Sequence, residues 1–173
     1  MATLFDGLLN VHYGQAYVVS GEAGDTGEMD AYFRGQSNGL LGAARPGELF
    51  LITGLHTGSV RLRVEVAEAP PAEDPSWEES VEATFTPGEG EVLVIDWDGN
   101  LVCELPLEPT SYRVRYEARA MDAGHEQDTI LEGEEPIDAY RLSFWPAPSE
   151  PDRIVRATSE IASYWHDWAT TGR

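Results

Sequence analysis

Apolar and polar residues alternate with a period of two through the middle of this chain, the pattern of strands with one face buried. Val60, Leu62, Val64 and Val66 interleave with Arg61, Arg63 and Glu65. The same phase recurs at Val81 to Phe85, at Tyr112 to Ala118 and at Tyr140 to Phe144. Leu49 to Thr53 and Val92 to Trp97 are apolar on both faces, and an early strand is expected over Val11 to Ser20. Gly and Pro punctuate these runs. Pro87-Gly88-Glu89-Gly90 reads as a hairpin connection, and Asp98-Gly99-Asn100 supplies residues that tolerate positive φ in a tight turn. Strands at short intervals with turns between them are the pattern of a β-sandwich or barrel, and the expected fold is all-β, an antiparallel β-sandwich.

The period changes after residue 148. Pro146 to Pro151 is a stiff connector, and Ser149 can cap a helix with Pro151 and Asp152 in its first turn. Ile154, Ala157, Ile161, Trp165 and Trp168 recur at helical spacing, flanked by Tyr164. This predicts one C-terminal amphipathic α-helix. Its stripe either covers the sandwich or is offered to a partner groove. The expected organisation is a β-sandwich over 1–148 with the helix of 149–173 packed on the same domain. Two segments, Gly21 to Asp30 and Asp122 to Pro136, are rich in acids and read first as disorder.

Charge narrows the function. The 173 residues carry 31 acids against 11 bases, a net charge of -20, and every base is arginine. Between Arg63 and Arg113 lie thirteen carboxylates and no base. Such a field repels nucleic acid and anionic membranes and attracts basic proteins. The aromatic and branched apolar content argues for a core rather than a disordered polyanion. Cys103, the single cysteine, sits among Leu101, Val102 and Leu105 and is expected reduced in a strand. With no leader-like or membrane-spanning run, the expected compartment is the cytoplasm.

The outward arginines Arg61, Arg63, Arg113, Arg115, Arg119 and Arg141 would share one face if their strands are neighbours. Cross-strand pairing with Glu65 and Glu117 is the plainer reading, a mixed-charge recognition face the sharper one.

No catalytic constellation emerges. His12, His56, His125 and His166 have no metal-ligand spacing, and no CxxC exists. His12 reads as a hydrogen-bonded strand histidine. His56 lies in the glycine-framed turn Gly54-Leu55-His56-Thr57-Gly58, where backbone need is the plainer account and display at a loop tip the other. Asp96-Trp97-Asp98-Gly99-Asn100 lacks calcium-loop spacing and reads as a β-turn. Asp122, His125, Glu126 and Asp128 could gather a divalent ion, though nothing in the sequence positions them. There is no nucleophile elbow, Walker loop or dinucleotide fingerprint. No cofactor, metal or catalytic residue is assigned.

The order of short motifs carries a resemblance. Val11-His12-Tyr13-Gly14-Gln15-Ala16-Tyr17 opens the chain, followed by Val81 to Thr86 and Val92 to Trp97. Then come Leu105-Pro106-Leu107, Ser111-Tyr112-Arg113-Val114 and Asp138-Ala139-Tyr140. Over roughly residues 11 to 145 this resembles the competence protein J family, bacterial inhibitors of a DNA-entry nuclease. The acidic stretches Glu68 to Glu79 and Asp122 to Pro136 and the aromatic helix have no counterpart in that pattern. The resemblance implies a non-enzymatic, acidic binding protein that blocks the basic groove of a nuclease. Expected contact residues are Glu73, Asp74, Trp77, Glu78, Glu79, Asp122, Glu126 and Asp128, with Trp77 as the aromatic anchor. The alternatives are a ligand- or glycan-binding module using Trp77, Trp97 or Trp145, and a carboxylate- or metal-dependent hydrolase.

Overall fold

The computed structural model describes residues 1–21 and 27–171. The chain begins with β1 (Ala2–Val11), β2 (Gln15–Ser20), the short helix α1 (Met29–Tyr32), β3 (Leu41–Gly42) and β4 (Glu48–Ile52). It continues through β5 (Gly58–Val66), β6 (Glu79–Phe85), β7 (Val92–Ile95), β8 (Leu101–Leu105) and β9 (Tyr112–Arg119). The last elements are α2 (Met121–Gln127), β10 (Ala139–Pro146), β11 (Arg153–Arg156) and α3 (Glu160–Thr171). One sheet has six strands in the order β1-β5-β10-β9-β6-β11, the other five in the order β3-β4-β2-β7-β8. Their buried apolar residues form a single cluster. Among the described residues no helix is long and apolar enough to cross a membrane.

The alternating runs become β5, β6, β9 and β10, with Val64, Val114, Val81 and Leu142 all buried. Four expectations change. The first strand is two: β1 ends at Val11, and β2 begins at Gln15 in the other sheet. Pro87 to Gly90 is not a hairpin, because β6 and β7 also lie in different sheets. The six-stranded sheet is mixed, since β10 runs parallel to β5. The segment from Asp122 is ordered rather than disordered: it forms most of α2, and Thr129 then bridges to Thr57. Of the acidic stretch Gly21 to Asp30, residues 22–26 lie outside the described residues, while Met29 and Asp30 open α1.

The C-terminal helix starts later than its stripe predicts. Residues 153–156 instead extend the six-stranded sheet as β11. Arg153 lies opposite Glu82 and donates from Nε to its Oε1 at 2.9 Å. Asp152, expected in a first helical turn, accepts from the backbone N–H groups of Ser37 and Asn38. Helix α3 is capped by Ser159, whose Oγ accepts from Ala162 N, and by Asp122, which accepts from Glu160 N and Ile161 N. These bonds satisfy first-turn donors that otherwise have no partner. Ile161, Ala162 and Ala169 are buried, Trp165 and Trp168 half-buried against the core, and Ile154 exposed.

On the outer face of the six-stranded sheet, arginine and glutamate face each other across β10, β9, β6 and β11, while Arg63 lies opposite Arg141 and pairs within β5. Glu82 accepts from Arg115 Nε at 3.0 Å and from Arg153, with Arg113 at 3.6 Å. Arg141 pairs with Glu117 at 2.7 Å, and Arg63 with Glu65. Pairing is therefore the arrangement this face adopts. It is also covered. The connection from β5 to β6 passes β10 and β9, and its carbonyls need partners. Arg115 donates to Pro71 O, and Arg156 to Trp77 O. The tail after β10 is held in the same way, with Arg113 donating to Glu150 O and Pro151 O.

Burial alone would raise the Glu82 carboxyl, but hydrogen bonds and charge from Arg153 and Arg115 outweigh it and hold it below the usual range. A depressed carboxylate stabilises fully above its unfolded pKa, about 4.3, and loses that contribution as pH falls through the lowered value. Glu82→Gln strands buried Arg113 and Arg115, and urea unfolding at neutral pH should show a loss of about 3 kcal/mol. A loss below 1 kcal/mol would show the cluster to be a bystander.

His166 acts in the same direction with pH, but here burial is the cause rather than the opposing effect. Its Nδ1 accepts from Gly39 N at 2.9 Å, and its Nε2 is buried without a partner among the described residues. Burial lowers its pKa, against the opposing pull of Asp167 and Asp152. The folded state therefore binds fewer protons than the unfolded one, and stability falls as pH drops below about 6.5. His166→Asn retains an acceptor without titrating, so its melting temperature should fall less than wild type between pH 7.5 and 5.5. Parallel curves would count against this origin.

Candidate functional site

Three turns meet at one end of the molecule. The first is His12-Tyr13-Gly14, between β1 and β2. Tyr13 and Gly14 have φ of 55° and 61°, and His12 bridges to Gln15, so this is a two-residue turn with both central residues left-handed. Gly14 has the backbone freedom for it, and a Cβ there would meet Thr53 O at 3.0 Å. Tyr13 does not have that freedom, and a non-glycine residue held at positive φ is strained.

The second turn is Gly54 to Thr57. Gly14 N donates to His56 O and Thr53 N to Gly14 O, both at 2.9 Å, so the two turns are zipped by backbone. The third component is the segment after α2. His56 N and Thr57 N donate to Asp128 O, and Ile130 N donates to Thr57 O. Beneath these turns, Asp138 is fully buried. Its Oδ2 accepts from Tyr140 Oη at 2.5 Å and from Leu55 N at 3.0 Å, while Gly54 N donates to Tyr140 Oη. Burial pushes the Asp138 carboxyl up against these hydrogen bonds. Helix α2 approaches this carboxylate by its backbone, for a Cβ on Gly124 would lie 2.7 Å from it.

Four rings stand on this base. Tyr13 packs against His12, His56 and Trp97 with centroids 4.2, 5.1 and 5.6 Å apart, and His12 lies 4.8 Å from Trp97. Thr57 Oγ1 lies 3.0 Å from His12 Nδ1 and 2.7 Å from His56 Nδ1, which fixes both imidazoles. Trp97 comes from the β7–β8 hairpin, where Asp96 accepts from Asn100 N and Nδ2. That is the β-turn expected of this stretch. Tyr13 is 57% and Trp97 37% exposed. Beside them opens a groove of about 1040 Å³, lined in part by Leu131, Asp98, Glu132, Glu134 and Glu135. Apolar rings lie in the middle and carboxylates at the margin, the pattern common at recognition surfaces. Among the described residues no three of His, Cys, Asp and Glu converge as metal ligands.

The contact residues expected from sequence lie elsewhere or are occupied. Trp77 is 7% exposed, with the guanidinium groups of Arg119 and Arg141 4.4 and 5.1 Å from its ring centre. Glu79 is fully buried and accepts from Thr158 N, Thr158 Oγ1 and Ser159 N. Asp122 caps α3, Glu78 accepts from Ala120 N, and Asp74 accepts from Ser76 N. Both acidic segments thus converge on the start of α3. Glu73, Glu126 and Asp128 are exposed, and only Asp128 reaches the ring cluster, through its backbone. Trp145 is buried beneath Arg115, which leaves Trp97 as the exposed member of the three tryptophans considered for a glycan site. Tyr13 was missed because His12 was placed inside a strand; Gly14 directly after it was the available turn signal. Cys103 lies in β8, where burial pushes its thiol up to about 11.

A comparison with protein-family models finds no match, and a comparison with curated protein sequences finds none. Two solved structures are similar. One is the crystal structure of ComJ, inhibitor of the DNA degrading activity of NucA, from Bacillus subtilis, with a TM-score of 0.54 and 15% identity over 84% of this chain and 98% of that one. The other, described as crocagin biosynthetic gene J, has a TM-score of 0.48 and 15% identity over 86% of this chain and 100% of that one. At this identity the likeness to ComJ is one of architecture, the level at which the motif resemblance is supported.

If Tyr13 serves recognition rather than folding, its strained turn can be relieved. Tyr13→Asn places the favoured Asn-Gly pair in the turn, and thermal unfolding should show stability at or above wild type, by up to about 1 kcal/mol. A clear loss would assign the ring a structural role.

Proposed function

We propose that this chain is a non-enzymatic inhibitor that binds a basic nuclease through the loop-tip face. The observation that carries the reading is the Tyr13–Trp97–His12–His56 ring cluster, exposed on a hydrogen-bonded base with carboxylates beside it. Aromatic residues on a rigid mount lose little entropy on binding and are the usual energetic centres of interfaces. The two-sheet, ComJ-like architecture supports an inhibitor over an enzyme, and stacking of the sheets as a sandwich is part of this reading.

The electrostatics agree. A nuclease presents positive potential to its substrate, and a carboxylate-rich surface can occupy that groove. The net charge of -20 already counts the arginines, of which Arg113, Arg115 and Arg141 are paired with carboxylates on the covered sheet face and Arg61 with Glu135 at the groove. Asp98, Glu132, Glu134 and Glu135 form the near rim in this reading. Glu73, Asp74, Glu78 and Glu126 contribute steering at longer range, and Asp128 lies beside the ring cluster. Trp77 and Glu79 are assigned to the scaffold. A cytoplasmic setting accords with the reduced Cys103.

Capture of a binding protein from the source cells, followed by nuclease assay of that protein with added chain, tests the reading. The captured protein should be basic and should lose activity. Tyr13→Ala or Trp97→Ala should weaken inhibition by at least tenfold, about 1.4 kcal/mol or more. Association should slow as salt rises from low to physiological strength. An acidic partner, or inhibition indifferent to both substitutions, would overturn the proposal.

A further inference from the structure

A second cavity, of about 300 Å³, opens between the loop-tip rings and α3. Its lining includes Tyr13, His56, Asp128, Ile161, Tyr164 and Trp165. We infer that this cavity receives one arginine side chain of the basic partner. The inference rests on the proposed function for the partner's charge and adds the chemical group that enters.

The size comes first. About 300 Å³ lies at the lower end for ligand pockets, room for one long side chain rather than a drug-sized molecule. The chemistry of the walls comes second. Tyr164 and Trp165 meet edge to face with centroids 5.0 Å apart, and Tyr13 stands on the opposite loop. Rings present negative faces to a cation. Asp128 lines the same cavity, with its carboxylate accepting from Thr129 Oγ1 at 2.8 Å, and the chain as a whole stands at -20.

Guanidinium is favoured over ammonium for a physical reason. It is planar and weakly hydrated, so it stacks on rings and gives up water at lower cost than a lysine head. This molecule repeatedly uses that pairing inside itself. Arg119 and Arg141 lie over Trp77, Arg115 over Trp145, and Arg45 over Tyr32. Among the described residues no arginine of the chain is set over Tyr13, Tyr164 or Trp165. Tyr164 is 59% exposed on an ordered helix. A partner arginine would complete at this cavity the contact that the chain's own arginines make elsewhere.

The test uses the full chain and a small probe. Titration of ¹⁵N-labelled protein with N-acetyl-arginine amide should shift the Trp165 indole N–H and the backbone signals of Tyr164 and His56, and should saturate. The citrulline analogue, equal in shape but uncharged, should bind at least tenfold more weakly. Tyr164→Ala, at an exposed position, should lower affinity for the arginine probe about tenfold. Shifts that spread over the acidic surface without saturating, or equal binding by citrulline, would overturn the inference. So would arginine binding unchanged in Tyr164→Ala. A chain that inhibits a basic nuclease but takes no arginine at Trp165 would lose this inference alone. A chain that takes arginine there yet inhibits nothing would keep the pocket and lose the proposed function.

Discussion

A connection without secondary structure must find partners for its backbone, and in this molecule the partners are arginines. The chain leaves β5, passes over β10 and β9, and re-enters the same sheet as β6, so residues 67–78 lie against the sheet's outer face. Arg115 and Arg156 satisfy its carbonyls, Arg119 and Arg141 cover Trp77, and Glu82 and Glu117 balance the charge that results. The same network recruits the tail. Arg113 takes up Glu150 O and Pro151 O, and Arg153 joins Glu82 as β11. Buried charges persist only when paired and hydrogen-bonded, and this face meets that condition across β6, β9, β10 and β11.

The network shapes the surface by what it removes from it. Arginines that composition alone would count as a basic face are committed to pairs and loop carbonyls. The remaining exposed charge is overwhelmingly carboxylate. At the far end, a separate set of hydrogen bonds centred on Asp138 and Tyr140 holds the Gly54 turn, and Thr57 Oγ1 orients His12 and His56. Rigid backbone there supports a strained, exposed Tyr13. Strain of this kind persists where the surroundings over-determine a conformation, and it clusters where recognition occurs.

Trp77, the anchor expected from sequence, is buried for an instructive reason. A tryptophan in an acidic loop looks like an anchor because nothing nearby in sequence buries it. The two arginines that do so come from β9 and β10, more than forty residues downstream. Glu79 misled in the same way, since its donors, Thr158 and Ser159, lie beyond the last strand of the main sheet pairings. The ordered helix after Met121 was hidden by its acidity, and its order depends on the Asp122 contact with α3 and on the bridge to Thr57.

Period-two alternation by itself determined β5, β6, β9 and β10, because one apolar face per strand is a local property written residue by residue. Composition likewise determined that the protein carries a strong negative field and a real core. Which sheet each strand joins, where the helical stripe yields to β11, and which charges stay exposed were decided only by tertiary structure. Those outcomes depend on contacts between residues far apart in the chain, such as Arg153 with Glu82 and Tyr13 with Trp97, and no local pattern encodes a partner's position.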